Sequence, residues 1–206
     1  MENPAPTLDP VIAAALTVAA RDGWRRTTLA AVAEEAGVSL AELHARVPDR
    51  WALPAACFAA VDRSVLAEAA VGPLADSPRE TLFELMMLRF ELLADHREGL
   101  RAMLSGLGLD PAALAGGAFG AVTAMGWMLE AAGLDAHGLR GLLRRKALMG
   151  VEAWTLRAFL ADETADLSHT MKALDQALRR LESWVFPAPE NDNPEGIDAA
   201  QHNPHS

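Results

Sequence analysis

The sequence predicts an all-α protein, a three-helix head on a larger body of about six helices. Three observations carry that reading. Alanine, leucine and arginine are frequent among the 206 residues while isoleucine is scarce, a palette that favours helix over sheet. Apolar residues recur every three or four positions, the period of a helix face, and no stretch alternates as a strand would. Helix start and stop signals punctuate the chain, with Asp-Pro, Ser-x-x-Glu and single glycines at the right offsets.

Each helix follows from those signals. Asp9 is placed to cap a first helix from about Pro10 to Arg21, with Ile12, Leu16 and Ala19 as its apolar stripe and Gly23 as its stop. Trp24 then plugs the core of the head. A second helix opens after Thr27 or Thr28 and stops at Gly37. Ser39 and Glu42 form a capping box that opens a third, ending before Pro48. Asp49 caps a fourth, roughly Arg50 to Val71, with Pro54 in its first turn. Gly72–Pro73 is a joint. Ser77-Pro78-Arg79-Glu80 repeats the cap grammar and leads a helix to about Ala94. Shorter stretches follow at Arg97–Leu104 and Pro111–Ala132, then a long helix from Gly138 to Leu160. The last runs from Leu167 to Val185, with Asp166 as its expected cap.

The expected organisation is a flexible start over 1–8, a head over 9–53, a body over 54–186 and a disordered tail over 187–206. With 51% hydrophobic and 22% charged residues, the bulk reads as globular. The formal net charge of -10 argues against a general nucleic-acid or membrane coat but leaves room for a small reading head with a local basic patch. The single cysteine, Cys57, excludes an internal disulfide, and the start of the chain lacks the pattern of a secretory signal, so a cytoplasmic location is expected. No charge falls between Asp110 and Glu130, about the length of a spanning helix. The segment is Ala- and Gly-rich, however, which makes a buried helix the expected reading and stable membrane insertion unexpected. Gly116 and Gly120 have the spacing of close helix contact.

The functional signal lies between Thr28 and Arg50. Val32 and Ala33 pack the second helix, Ala36 leaves room for a crossing, Gly37 makes a sharp turn, and Leu43 and Val47 pin the third helix. Its other face is then free to enter a major groove. The register of Thr-Leu, Val-Ala, Ala-Gly-Val-Ser, Leu and a Pro shortly before a basic residue resembles the DNA-binding head of the TetR family. The resemblance implies phosphate contacts by Thr28 and Arg50. It implies groove contacts by Ser39, Leu40, Glu42, His44, Ala45 and Arg46. Glu42 has two readings, a base acceptor in the groove or a cap folded back on its own helix.

The body has a looser likeness. Ala94-Asp95-His96-Arg97-Glu98, Trp127, Arg145-Lys146-Ala147-Leu148 and Leu160-Ala161-Asp162-Glu163 resemble the TetR-fold accessory family of coenzyme Q (ubiquinone) biosynthesis, whose members bind isoprenoid lipids. Large soft side chains are candidates for an apolar pocket holding a small or lipid-like ligand: Phe83, Met86, Met87, Phe90, Met103, Phe119, Trp127, Met128 and Trp154. A basic run, Arg140, Arg144, Arg145 and Lys146, is expected to share much of one helix face.

No residue spacing matches a zinc site, a phosphate loop or a nucleophile elbow, so no metal, cofactor or enzymatic activity is expected. The expected function is a TetR-type repressor, with a lipid-binding accessory protein as the alternative. Double-stranded DNA with a palindromic operator requires a two-fold partner, so a homodimer is expected. Its seam is placed on the last two helices, at Leu143, Ala147, Gly150 and Trp154 of the eighth and Met171, Leu174, Leu178 and Leu181 of the ninth.

Overall fold

The computed structural model describes residues 8–71, 75–108, 111–181 and 185–186. Among them are nine α-helices and no strand: α1 Pro10–Asp22, α2 Leu29–Ala36, α3 Leu40–Arg46, α4 Leu53–Ala69, α5 Pro78–Leu93, α6 Arg97–Leu107, α7 Pro111–Ala131, α8 Gly138–Ala161 and α9 Ser168–Arg180. The expected Gly72–Pro73 joint, the first seven residues and the tail from 187 lie outside the described residues.

Local chemistry sets the boundaries. The Asp9 carboxylate accepts from the Val11 N–H at 2.9 Å, and Pro10, which has no N–H to satisfy, stands at the first helical position of α1. Ser77 accepts from the Glu80 N–H at 3.2 Å and opens α5. Arg50–Ala52 forms a 3-10 turn rather than the start of α4, and the Asp49 carboxylate caps that turn by accepting from the Ala52 N–H at 3.0 Å. The cap of α9 is not Asp166 alone. The buried Asp162 carboxylate reaches forward to the Thr170 N–H at 2.8 Å and hydroxyl at 2.7 Å, and accepts from the Thr164 N–H at 3.0 Å as well.

One apolar core runs through head and body, from Leu16, Trp24 and Leu43 to Phe90, Met128 and Phe159. The joint between them is α6, which crosses α1 at glycines. A methyl group on Gly99 would collide with the Leu16 carbonyl, and one on Gly106 with the Trp24 side chain. The other side of α6 is tied to the body: Arg97 donates to the Asp162 carbonyl and Arg101 to that of Leu160, both at the end of α8. Arg89, almost fully buried, bonds Asp62 of α4 and Glu152 of α8 and so links three body helices.

Two expectations change in the body. The apolar stripe of α9 does not face outward: Leu174 and Leu178 are 0% and 1% exposed, packed within the monomer against α8 and α5, and Leu167 is buried beside them. An amphipathic helix has one apolar stripe, and here the body uses it. Of the residues placed in the dimer seam, Leu143, Gly150, Trp154 and Met171 are exposed, while Ala147 and Leu181 are half-buried. The basic run also splits. Arg144 is buried and donates to the Asp135 carbonyl at 3.0 Å, Arg145 lies against Gly126 of α7, and Arg140 and Lys146 face solvent.

Candidate nucleic-acid interface

The geometry between α2 and α3 is built from short-range rules. Thr28 caps α2, its hydroxyl accepting from the Ala31 N–H at 3.2 Å. Val32 and Ala33 bury the inner face of α2. Gly37 then turns left-handed at φ 66°, where a side chain would be strained, and its N–H together with that of Val38 closes the end of α2. Leu43 and Val47 are both buried and anchor α3 from below. Ser39, Leu40, Ala41, Glu42, His44, Ala45 and Arg46 are exposed along its outer side. The helix is therefore held by one face and offers the other.

Glu42 is folded onto its own cap. Its carboxylate accepts from the Ser39 N–H and from the Ser39 hydroxyl, both at 2.8 Å. The backbone bond first, then the hydroxyl bond, holds its carboxyl below the usual range. The capping reading of Glu42 is the one the geometry fits.

The arginines are more committed than the sequence suggests. Arg50 donates to the carbonyls of Arg25 at 3.1 Å and Thr27 at 3.3 Å, and its guanidinium lies 5.6 Å from the ring centre of Trp24 and 4.6 Å from that of Trp51. It clamps the start of α4 to the turn after α1. Arg46 pairs with Asp9 at 3.7 Å, and Arg21 bridges to Glu35 of α2 at 2.9 Å. Arg25 and Arg26 stay exposed in the 3-10 turn Trp24–Arg26. Sequence reasoning missed Trp51, which is exposed beside Arg50. An aromatic next to the basic residue after Pro48 was the available signal.

The candidate pocket residues divide. Met86, Met87, Phe90, Met103 and Met128 are buried in the core and Phe83 is half-buried. Phe119, Trp127 and Trp154 are instead 78%, 56% and 55% exposed, so these three line no interior of the monomer. Two polar atoms on the inner side of α8, Glu152 Oε2 and Thr155 Oγ1, are buried without a hydrogen-bond partner. A cleft of about 520 Å³ lies elsewhere, between α1 and the start of α6, and is lined by Thr17, Arg21, Asp95, His96 and Glu98 among others. Among the described residues no group of His, Cys, Asp and Glu is arranged to hold a metal ion, and no helix is long and apolar enough to cross a membrane.

Solved structures share this architecture. The crystal structure of the TetR transcriptional regulator from Nitrosomonas europaea ATCC 19718 is 22% identical, with a TM-score of 0.69 over 84% of this chain and 95% of that one. A TetR transcriptional regulator from Rhodococcus sp. RHA1 is 21% identical, with a TM-score of 0.55 over 84% of this chain and 94% of that one. The chain has the all-α fold of these regulators, head and body together. No family model and no curated protein sequence matches it, and none of these likenesses supports the coenzyme Q reading of the body.

Proposed function

We propose that the chain is a ligand-responsive DNA-binding regulator of transcription, a repressor that reads a palindromic operator as a homodimer. The observation that carries the reading is α3, pinned by Leu43 and Val47 and presenting its outer face, in a fold shared over 84% of this chain with a TetR regulator. Ser39, Leu40, His44, Ala45 and Arg46 meet the major groove. Thr28 and the turn held by Arg50 stand at the flanking phosphates. Arg25 and Arg26 supply the exposed charge for that backbone.

The head reads DNA with little excess charge. Arg21, Arg25, Arg26, Arg46 and Arg50 stand against Asp9, Asp22, Glu34, Glu35, Glu42 and Asp49. The Ser39 cap supports a reading in which Glu42 makes no base contact, and Arg21 and Arg50 are engaged in internal contacts. Binding is accordingly modest and rests on shape and base contacts more than on a broad basic surface.

The body answers to an apolar, lipid-like ligand carrying a polar group. Glu152 Oε2 and Thr155 Oγ1, three residues apart on one side of α8, are buried without hydrogen-bond partners, beside the Arg89 guanidinium that holds the other Glu152 oxygen, and a ligand's polar group would satisfy them. Any shift of α8 acts on Arg97 and Arg101, hence on α6, and through Gly99 and Gly106 on α1 and the head. Fluorescence anisotropy with labelled DNA from upstream of its own gene, from about 50 to 200 mM salt, tests the DNA reading. Sequence-preferring binding that weakens steeply with salt supports it. No binding at the lowest salt overturns it.

A further inference from the structure

The body leaves one large apolar face without a partner. Ten large hydrophobic side chains are exposed among the described residues, and six of them are on α7 and α8: Phe119, Trp127, Leu139, Leu142, Leu143 and Trp154. They are not scattered. On α7 the exposed positions 119, 120, 123 and 127 lie on one side of the helix, opposite the buried Met125, Met128 and Leu129. On α8 the positions 139, 143, 146, 150, 154 and 157 do the same, opposite Leu148, Val151, Thr155 and Phe159. The two helices pack against each other, so these apolar sides belong to neighbouring elements. A soluble monomer rarely leaves so concentrated an apolar face open to water.

The surface has a shape as well as a chemistry. Gly150 and Ala153 are exposed at the middle of α8, between the bulky Leu143 and Trp154, and a side chain added at Gly150 or at Gly120 of α7 would meet nothing. Small residues between large ones let another backbone come close, which suits an approaching helix better than a fluid lipid surface. The face also carries both signs, with Glu130 at the end of α7 and Lys146 and Arg157 exposed along α8. A two-fold copy can set opposite charges together. The terminal stretches 1–7 and 187–206 are poor candidates to cover it, since Met1 and Ile197 are their only large apolar residues apart from proline.

We infer that a second copy of this chain docks on the outer face of α7 and α8, centred on Trp127, Leu143, Gly150 and Trp154, and that α9 lies outside the seam. The inference rests on the reading of the chain as a two-fold DNA-binding dimer and states where its halves meet. It reassigns Phe119 and Trp127 from ligand pocket to interface. It also explains the burial of Leu174 and Leu178: α9 spends its apolar stripe on the monomer and turns Lys172, Gln176 and Arg179 to solvent.

Sedimentation velocity on the full chain at micromolar concentration tests the seam, with Leu143→Glu, Trp127→Lys and Met171→Glu beside the wild type. The expected result is a wild-type dimer, a dimer for the α9 variant Met171→Glu, and at least a ten-fold weaker association for each of the other two with helix content unchanged by circular dichroism. Should Leu143→Glu lose helix content, Trp127→Lys on the other helix decides. A wild-type monomer overturns the inference, and so does dissociation by Met171→Glu with the α7 and α8 variants still dimeric. No DNA is present, so the seam is judged apart from the head: a dimer that ignores DNA overturns the function and spares the seam, and a dimer that binds DNA but survives both Leu143→Glu and Trp127→Lys does the reverse.

Discussion

The Glu42 carboxylate accepts two hydrogen bonds from Ser39, from its N–H and from its hydroxyl, each at 2.8 Å, at the opening turn of the helix that faces outward from the head. The bond back from the Glu42 N–H to Ser39 Oγ, at 3.2 Å, completes a reciprocal cap. A sequence that sets an acid on the exposed helix of the head thereby keeps its charge at the helix start. Ser39→Ala removes the cap and is expected to cost about 1 kcal/mol in thermal or urea unfolding. Glu42→Thr removes a charge near the phosphates, and its DNA affinity is expected to rise in an anisotropy titration. A fall would show that Glu42 accepts from a base.

Arg50 is expected to act through the loop it clamps as well as through its charge. Arg50→Ala should weaken specific and non-specific DNA binding about equally, since a group at the backbone carries no base information. Arg50→Lys keeps the charge but loses the planar fork that reaches two carbonyls and two rings. It should therefore recover only part of the affinity and melt below the wild type. Full recovery by lysine would leave the clamp without a role.

Acid stability should depend on Asp162. Burial pushes its carboxyl upward, but the hydrogen bonds from Thr164 and Thr170 outweigh that and hold it well below the usual carboxylate range. A carboxyl depressed by folding contributes stability that is present above its unfolded value, near about 3.9, and is lost as pH falls through the folded value. Asp162→Asn is expected to lower stability at neutral pH by roughly 2 kcal/mol. The gap to wild type should narrow below about pH 4. Urea unfolding at several pH values checks both, and a gap independent of pH would contradict the assignment.

Gly99→Ala tests the joint between head and body. The new methyl meets the Leu16 backbone, which cannot step aside as a flexible side chain would. Melting should fall by an amount corresponding to about 1–3 kcal/mol. DNA affinity should change with it, because α1 carries the head. A variant that melts and binds as wild type would remove α6 as the connection.

Leu174→Ala is expected to destabilise the fold by about 2–5 kcal/mol as a core deletion. Its effect should appear as unfolding rather than as simple dissociation of a dimer into stable monomers, which sedimentation beside a melt distinguishes.

Much of the fold was legible because its determinants are local. Asp9-Pro10, Thr28, Ser39-x-x-Glu42, Gly37 and Ser77-Pro78 each act within a turn of where they stand, and the helices begin and end close to them. Asp162 was not legible, since it caps α9 from eight residues before Thr170, beyond the span of any capping motif. The outward stripe of α8 could be read, from Leu139 to Trp154. The inward one could not, because Arg144, Glu152 and Thr155 interrupt it and find partners or burial only in the folded body. For the same reason the neighbours of α9 inside the monomer could not be read: periodicity shows that a helix has an apolar face, and only packing decides which neighbour takes it. In the head the outer residues of α3 were legible from register, whereas the internal duties of Arg46 and Arg50 depend on Asp9, Trp24 and Trp51, which are distant in sequence or carry no motif.

The proposed function requires that this head read DNA as a two-fold pair. Selection of bound duplexes from a random pool by the full-length chain, followed by sequencing, tests it directly, because a random pool contains every candidate operator. The account predicts enrichment of an inverted repeat whose half-sites are about one helical turn apart, lost when Arg46 is changed to Ala. A pool that stays random after repeated rounds at low salt, or that enriches an unrepeated motif, would contradict it.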